Sequence, residues 1–376
     1  MLTELLRDLV AIDSVNPDLV PGAKGEAEIA AHCARWLERA GLDAELQEAA
    51  PGRPNAIGVL EGATPGRTLM LCGHLDTVGV EGMAAPFTPD VRDGRLYGRG
   101  SEDMKGGVAA MMEAARRVKD RWTSGRLVIA CVCDEEYESI GAQALVTRFR
   151  ADAAVVTEPT DLAVAVTHKG FAWIEVETRG RAAHGSRPAE GRDAILRMGR
   201  VLSRLEALDR ELAARAADPM TGPPSLHASI ISGGREWSSY PDHAMLRLER
   251  RTVAGENDAT VMREIENILG DLRATDPELD VQARLVTSRA PHRLAPEHEL
   301  PVRLVSAARA RGVAAPVGGM SFWTDASILG DAGIPSVLFG PGGAGLHSIE
   351  EYVTLADVEA CAAILADLAL DYCGVR

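Results

Sequence analysis

Positive charge is in short supply: 40 Lys and Arg stand against 55 Asp and Glu in 376 residues, a formal net charge of -15. Nucleic acids and anionic membranes select clustered Lys and Arg, so neither is expected as a partner. Long apolar runs are absent as well, and nothing approaches the roughly 20 residues a membrane helix needs. The opening MLTELLRDLVAIDSV carries acids where a secretion signal carries a basic start and an apolar core, so the expected location is cytoplasmic. Cysteine is sparse and scattered, at Cys33, Cys72, Cys131, Cys133, Cys361 and Cys373. That spacing is no disulfide framework, and the thiols are expected to be reduced and mostly buried. Cys131 and Cys133, two apart on an apolar run, share one face of a strand and read as core rather than as a soft-metal pair. No Gly-x-Ser-x-Gly elbow is present for a serine hydrolase. GPGGAG follows the last apolar run but lacks the order of a dinucleotide fingerprint.

Apolar residues make up 46% and charged residues 25% of the chain, the balance of a folded, water-soluble protein. Its length predicts two domains, one of them an insertion. Apolar residues recur at threes and fours over 26–40, 107–118, 193–208, 258–272, 300–311 and 355–372, which predicts helices. Between them, RTLMLCG, RLVIACVC, AAVVT and IPSVLFG are continuous apolar runs of strand length, as in a parallel sheet covered on both faces. In the middle, FAWIEVETRG, LHASIISGG, HAMLRLERRT and LDVQARLVT alternate apolar and polar residues, and two helices separate them. That pattern predicts an antiparallel sheet with one wet face, backed by helices. The fold class is therefore α/β, a mostly parallel sheet with helices on both faces, interrupted by an α+β domain. The boundaries expected are 1–168, 169–286 and 287–376.

Each continuous run ends in groups that could bind a metal. RTLMLCG leads to His74 and Asp76; RLVIACVC to Asp134, Glu135 and Glu136; AAVVT to Glu158; IPSVLFG to His347. Ligands of open α/β sheets bind outside the carboxyl ends of the strands, so these groups should converge on one crevice. Asp103 joins them from the Gly-rich turn GRGSEDMKGG. Taken one at a time, His74 reads equally as a satisfied core histidine and the glutamates as solvated surface acids. Four strand ends carrying such groups together are another matter, because a core avoids unpaired charge. Imidazole and carboxylate without thiolate suit a hydrolytic zinc site, or cobalt or manganese, better than a structural one.

GHLDTV, GRGSEDMKGG, DEEYESIGA, EPT, AAHGSRP and HSIEEYV stand in the order of the M20 metallopeptidase family, which the chain resembles over nearly its whole length. The resemblance implies a di-zinc catalytic domain interrupted by a ferredoxin-like lid that dimerises the chain. It makes Asp103 the carboxylate bridging two metals, with His74 and Glu158 completing one site and Glu136 and His347 the other. Glu135 becomes the general base toward a hydroxide shared by the two metals. Asp76 becomes an acid that orients His74 or tunes the site. His184 is implied to reach the opposite subunit's site and bind the oxyanion, and Arg251 to grip a substrate carboxylate. Three positions depart from the pattern: Ser238 where Asn is usual, Glu138 where Gly is common, and Glu249 in place of Asp. The implied activity is removal of an acyl group from an N-acyl amino acid, as in acetylornithine deacetylase or succinyl-diaminopimelate desuccinylase. The alternatives are a dipeptidase or carboxypeptidase on the same scaffold, or a binding protein without turnover.

Overall fold

The computed structural model describes residues 1–374. The chain divides into two compact units. One comprises Met1–Val166, Leu294–Gly319 and the segment from Thr324 on; the other comprises Thr167–Arg293 with Met320–Trp323.

The first unit is built on a mixed sheet. The four continuous apolar runs form its centre, in the order Ser124–Val132, Thr64–His74, Ala153–Val156, Ser336–Leu338, each pair parallel. Leu69, Met70, Leu71 and Cys72 on one of these strands are all fully buried, as a sheet covered on both faces requires. Each large side chain so buried contributes about 1.5–3 kcal/mol. Outside this centre the pairing turns antiparallel. Arg53–Glu61 runs against Ser124–Val132, and Asp43–Ala50 runs against Arg53–Glu61. This hairpin was not expected, because a buried central strand and its exposed edge partner do not share one period. The helices Ala27–Arg39, Gly106–Val118, Glu299–Ala310 and Leu355–Tyr372 lie where the periodicity puts them. Leu2–Ala11 and Ile140–Arg148 are additional helices. All six cysteines are free and buried.

The second unit runs strand Gly170–Arg179, helix Ala194–Ala214, strands Ser225–Gly233 and His243–Thr252, helix Asp258–Thr275, strand Asp280–Arg289. This β-α-β-β-α-β order is ferredoxin-like. Its sheet is wholly antiparallel, in the order Ser225–Gly233, His243–Thr252, Gly170–Arg179, Asp280–Arg289. Asp193 and Asn257 cap the two helices, accepting from Leu196 N at 2.9 Å and Thr260 N at 3.0 Å. Met198, Val201, Leu205, Val261, Ile265 and Leu269 of those helices are buried with Ile174, Val176, Leu246 and Leu248 of the sheet. The strand alternation predicted from sequence thus has its covered face. Among the described residues no helix is long and apolar enough to cross a membrane.

Candidate metal centre and active site

The groups singled out at the strand ends meet in the first unit. His74 closes Thr64–His74, Glu135 and Glu136 follow Ser124–Val132, and Glu158 follows Ala153–Val156. Asp103 comes from the turn Ser101–Lys105, just before Gly106–Val118. Two glycines allow these segments to approach: a Cβ on Gly107 would fall 1.9 Å from the Thr157 carbonyl oxygen, and one on Gly340 would fall 2.2 Å from that of Glu158.

Asp103 faces two imidazoles with its two oxygens. Oδ1 is 3.0 Å from His74 Nε2 and Oδ2 is 3.3 Å from His347 Nε2. His347 Nε2 also lies 3.2 Å from Glu136 Oε2, and His74 Nε2 lies 4.0 Å from Glu135 Oε2. Ligand-type atoms of His74, Glu135 and Glu158 all fall within 4.8 Å of one another, as do those of His74, Asp103 and Glu136. Two overlapping donor sets therefore share His74 and lie side by side.

Burial and mutual repulsion set the electrostatics. Burial pushes Glu135 well above the usual carboxylate range, and neighbouring Glu158, Asp325 and Glu136 add to it against His74. Burial likewise raises Glu158 and Glu136. Burial also works against charge on His74, but the bond to Asp103 with Glu158 and Glu135 nearby reverses it, so the ring is held well above its ordinary value. His347 is raised to about 10 by its bonds to Asp103 and Glu136. Asp103 is lowered, its own burial being overcome by the two histidines. Anions this close, with two imidazoles among them, call for a cation.

The donor chemistry fits a metal. Glu136 Oε1 and Glu158 Oε1 are buried with no hydrogen-bond partner, a costly arrangement unless a cation stands there. His74 Nδ1 meets the main-chain oxygen of Asp76 at 3.0 Å. With its proton on Nδ1, a neutral ring would leave Nε2 free to ligate a metal, as a metal-ligating histidine does. Asp76 meets both the histidine and the glutamates. Its Oδ1 is 3.6 Å from His74 Nδ1, while its two oxygens accept the backbone N–H of Glu135 at 3.0 Å and of Glu136 at 3.1 Å. The Asp76 main chain orients the histidine; its carboxylate holds the glutamate pair.

Two further acids support the centre. Glu351 Oε1 accepts from the backbone of Glu102 at 2.9 Å and Asp103 at 3.2 Å, and its Oε2 accepts from Arg99 Nη1 at 2.6 Å. It fixes the turn that presents Asp103. Asp325 is buried, has Oδ1 without a partner, and is raised to about 7, first by burial. Neither was singled out in the sequence. Glu351 lies inside HSIEEYV, where the adjacent His347 drew the attention, and Asp325 in FWTDAS reads as an ordinary residue ahead of a helix.

The sequence model of "Peptidase family M20/M25/M40" matches residues 70–371. The chain belongs to that family. An acetylornithine deacetylase of Myxococcus xanthus is 32% identical over 393 aligned positions, covering 100% of this chain and 98% of the relative. Among solved structures, a tripeptidase of Staphylococcus aureus superposes with a TM-score of 0.82 at 22% identity, covering 99% of this chain and 98% of that one. A dinuclear metal-binding peptidase of the M20 family from Bacillus subtilis gives 0.76 at 15% identity, covering 100% and 98%. As an M20 member, the chain is a hydrolase of the metallopeptidase and deacylase class.

The remaining residues expected at an M20 site lie in the second unit. His184 is exposed; its Nδ1 is 2.8 Å from Ser186 Oγ and accepts from Ser186 N at 3.2 Å. Ser238 is exposed, and its carbonyl accepts from Gly185 N at 2.7 Å, so Ser238 and the His184 turn are neighbours. Arg251 is partly exposed, donates from Nε to Glu249 Oε1 at 2.7 Å, and lies over the Phe171 ring at 5.6 Å. The adjacent Arg250 is fully buried between Glu256 and Glu264, which marks it as structural.

Proposed function

We propose that this chain hydrolyses the amide of N-acyl amino acids, releasing the free amine, in the manner of acetylornithine deacetylases. The observation that carries the reading is the pair of donor sets that share His74, one with Glu135 and Glu158 and the other with Asp103 and Glu136. Similarity to the Myxococcus xanthus enzyme over the full length favours deacylation over peptide cleavage. Two zinc ions, or cobalt or manganese, would be held by His74, Asp103 and Glu158 on one side and by Asp103, Glu136 and His347 on the other. When bound, they supply Lewis acidity to the scissile carbonyl and to the attacking water.

The chain's own residues do the rest. Glu135 takes a proton from the attacking water and returns it to the departing nitrogen, a double role suited to a carboxylate whose affinity for protons is raised by burial. Asp76 keeps Glu135 and Glu136 in register through their backbone N–H groups. Arg251 receives the substrate carboxylate, exchanging its bond to Glu249 for a two-pronged one, and Ser238 adds a polar contact. His184 offers its ring to the oxyanion in the site of a second copy of the chain. Dimerisation would run through the second unit, whose strand Ser225–Gly233 is an exposed sheet edge. The protein would work in the cytoplasm.

Assay of metal-loaded protein against N-acetyl and N-succinyl amino acids beside dipeptides tests the reading. Turnover should be at least tenfold faster on one acyl class. Faster cleavage of dipeptides would make the chain a peptidase, and no turnover on either panel would favour a binding protein.

A further inference from the structure

Glu26, Asp76 and Asp134, all buried, bring carboxylate oxygens within 4.8 Å of one another beside the active centre. This resembles another metal site, but its cation is already present. Arg53 Nε donates to Glu26 Oε2 at 2.5 Å, and its Nη2 donates to Glu26 Oε1 at 2.6 Å and Asp134 Oδ1 at 2.8 Å. Its third arm, Nη1, reaches Asp18 Oδ2 at 2.6 Å. A guanidinium with every nitrogen engaged supplies the positive charge to Glu26 and Asp134.

Asn16 links this cluster to Asp76. Its Nδ2 donates both to Asp76 Oδ2 at 2.8 Å and to Asp134 Oδ1 at 3.0 Å, while its Oδ1 accepts from Asp18 N at 2.9 Å. Both amide hydrogens and the amide oxygen are therefore engaged, and the side chain has one orientation. Its main chain is held as well, Asn16 N donating to Thr77 O at 2.9 Å and Thr77 N to Ser14 O at 3.1 Å.

The two carboxylates that Asn16 joins fold the turn carrying the glutamates. Asp76 accepts from Glu135 N and Glu136 N. Asp134, at a left-handed φ of 69°, accepts from Glu138 N at 3.2 Å and Ile140 N at 3.3 Å through Oδ2. Four backbone donors of one turn thus rest on two acids that Asn16 joins through its Nδ2.

We propose that Asn16 and Arg53 are positioning residues that hold the Glu135–Glu136 turn in its working geometry through Asp76 and Asp134. The N-terminal segment thereby becomes part of the reaction machinery without touching substrate. This rests on the reading of Glu135 as base and Glu136 as metal ligand. Loss of the amide leaves Asp76 and Asp134 adjacent with no donor between them, and the turn shifts. Supporting groups around metal ligands typically change affinity or activity by about 10- to 100-fold.

The test uses the full chain carrying Asn16→Ala, with Asn16→Ser, which retains one donor, and Arg53→Lys, which retains the charge but not the fork. Cobalt binding is followed by visible absorption per folded molecule, and kcat and KM are measured separately. Asn16→Ala should weaken the more loosely held cobalt by about tenfold or more and lower kcat by a similar factor, with KM changed less than about threefold. Asn16→Ser should fall between Asn16→Ala and wild type. Should Asn16→Ala fail to fold, Asn16→Ser and Arg53→Lys carry the same test. Folded variants with lowered melting temperature but wild-type cobalt affinity and kcat would make the network structural and overturn the proposal. Glu136→Gln, measured alongside, separates the two claims: if it keeps both metals and full activity, the reading of the site fails, whatever Asn16 does.

Discussion

His347 is more than half exposed, yet its Nε2 lies 3.2 Å from Oε2 of Glu136, whose other oxygen is buried with no partner. Glu135, next in the chain, lies instead 4.0 Å from His74 Nε2 through its Oε2. Neighbours in sequence thus pair with different histidines, although Glu136 also belongs to a donor set with His74. Glu135→Gln should keep both metals while turnover falls roughly 100- to 10,000-fold, the usual scale for a general base. Glu136→Gln should lose metal. Metal analysis of both variants, combined with kcat, decides the matter; equal metal loss in the two would undo the assignment.

Removing the metals should leave Asp103, Glu135, Glu136 and Glu158 crowded together with only His74 and His347 to offset their charge. Exhaustive chelation is expected to abolish hydrolysis and to lower the melting temperature, and zinc or cobalt should restore both. A ligand that binds only the folded chain at about 1,000 times its Kd adds about 4 kcal/mol. Calorimetry with and without metal reads the shift. Full activity in metal-free protein would rule out the mechanism.

His168 makes a prediction about acid that does not involve the active centre. The ring is fully buried in the second unit, its Nδ1 meets Lys169 O at 2.9 Å, and its Nε2 has no partner. Burial, with His292 beside it, pushes its pKa down to about 3 from 6.5. In the unfolded chain the ring protonates first, so its contribution to stability is complete above pH 6.5 and is lost progressively as the pH falls toward 3. At pH 4.5 the loss should be about 2–3 kcal/mol. Urea unfolding at pH 7 and pH 4.5 would show a shallower pH dependence for His168→Leu by that amount. Identical pH dependence in the two proteins would mean the ring is not neutral in the fold.

The candidate site residues were legible in the sequence because chemistry and topology coincided there. Four apolar runs were continuous enough to be central strands, and parallel strands deliver their carboxyl ends to one crevice, so His74, Glu135, Glu136, Glu158 and His347 could be collected before any distance was known. The supporting network was hidden for the opposite reason. Asn16 precedes a proline and reads as a turn residue, Arg53 starts a strand whose edge partner breaks the alternation, and Glu26 opens a helix as any acid might. Their pairing depends on side chains brought together across three segments, which no local period encodes. For Asp76 the sequence pointed to orienting His74 or tuning the site, and could not tell that its main chain meets the histidine while its carboxylate accepts from the glutamate backbone.

The exposed ring of His184 leads to the last prediction. No bond in its own unit engages Nε2; Ser186 occupies Nδ1 from both its hydroxyl and its backbone. A ring fixed on one side and free on the other is suited to serve an oxyanion elsewhere, and the proposed dimer would supply the site. Glu135→Ala and His184→Ala should each be inactive alone. Mixed by co-expression, random pairing gives heterodimers in about half of the assemblies. Each heterodimer then carries one site with both defects and one site with neither, so activity should return to about a quarter of wild type. If His184 serves its own chain, every site keeps one defect and nothing returns. A mixture as inactive as its parts, with heterodimers confirmed by differential tagging, would remove His184 from the second copy's site.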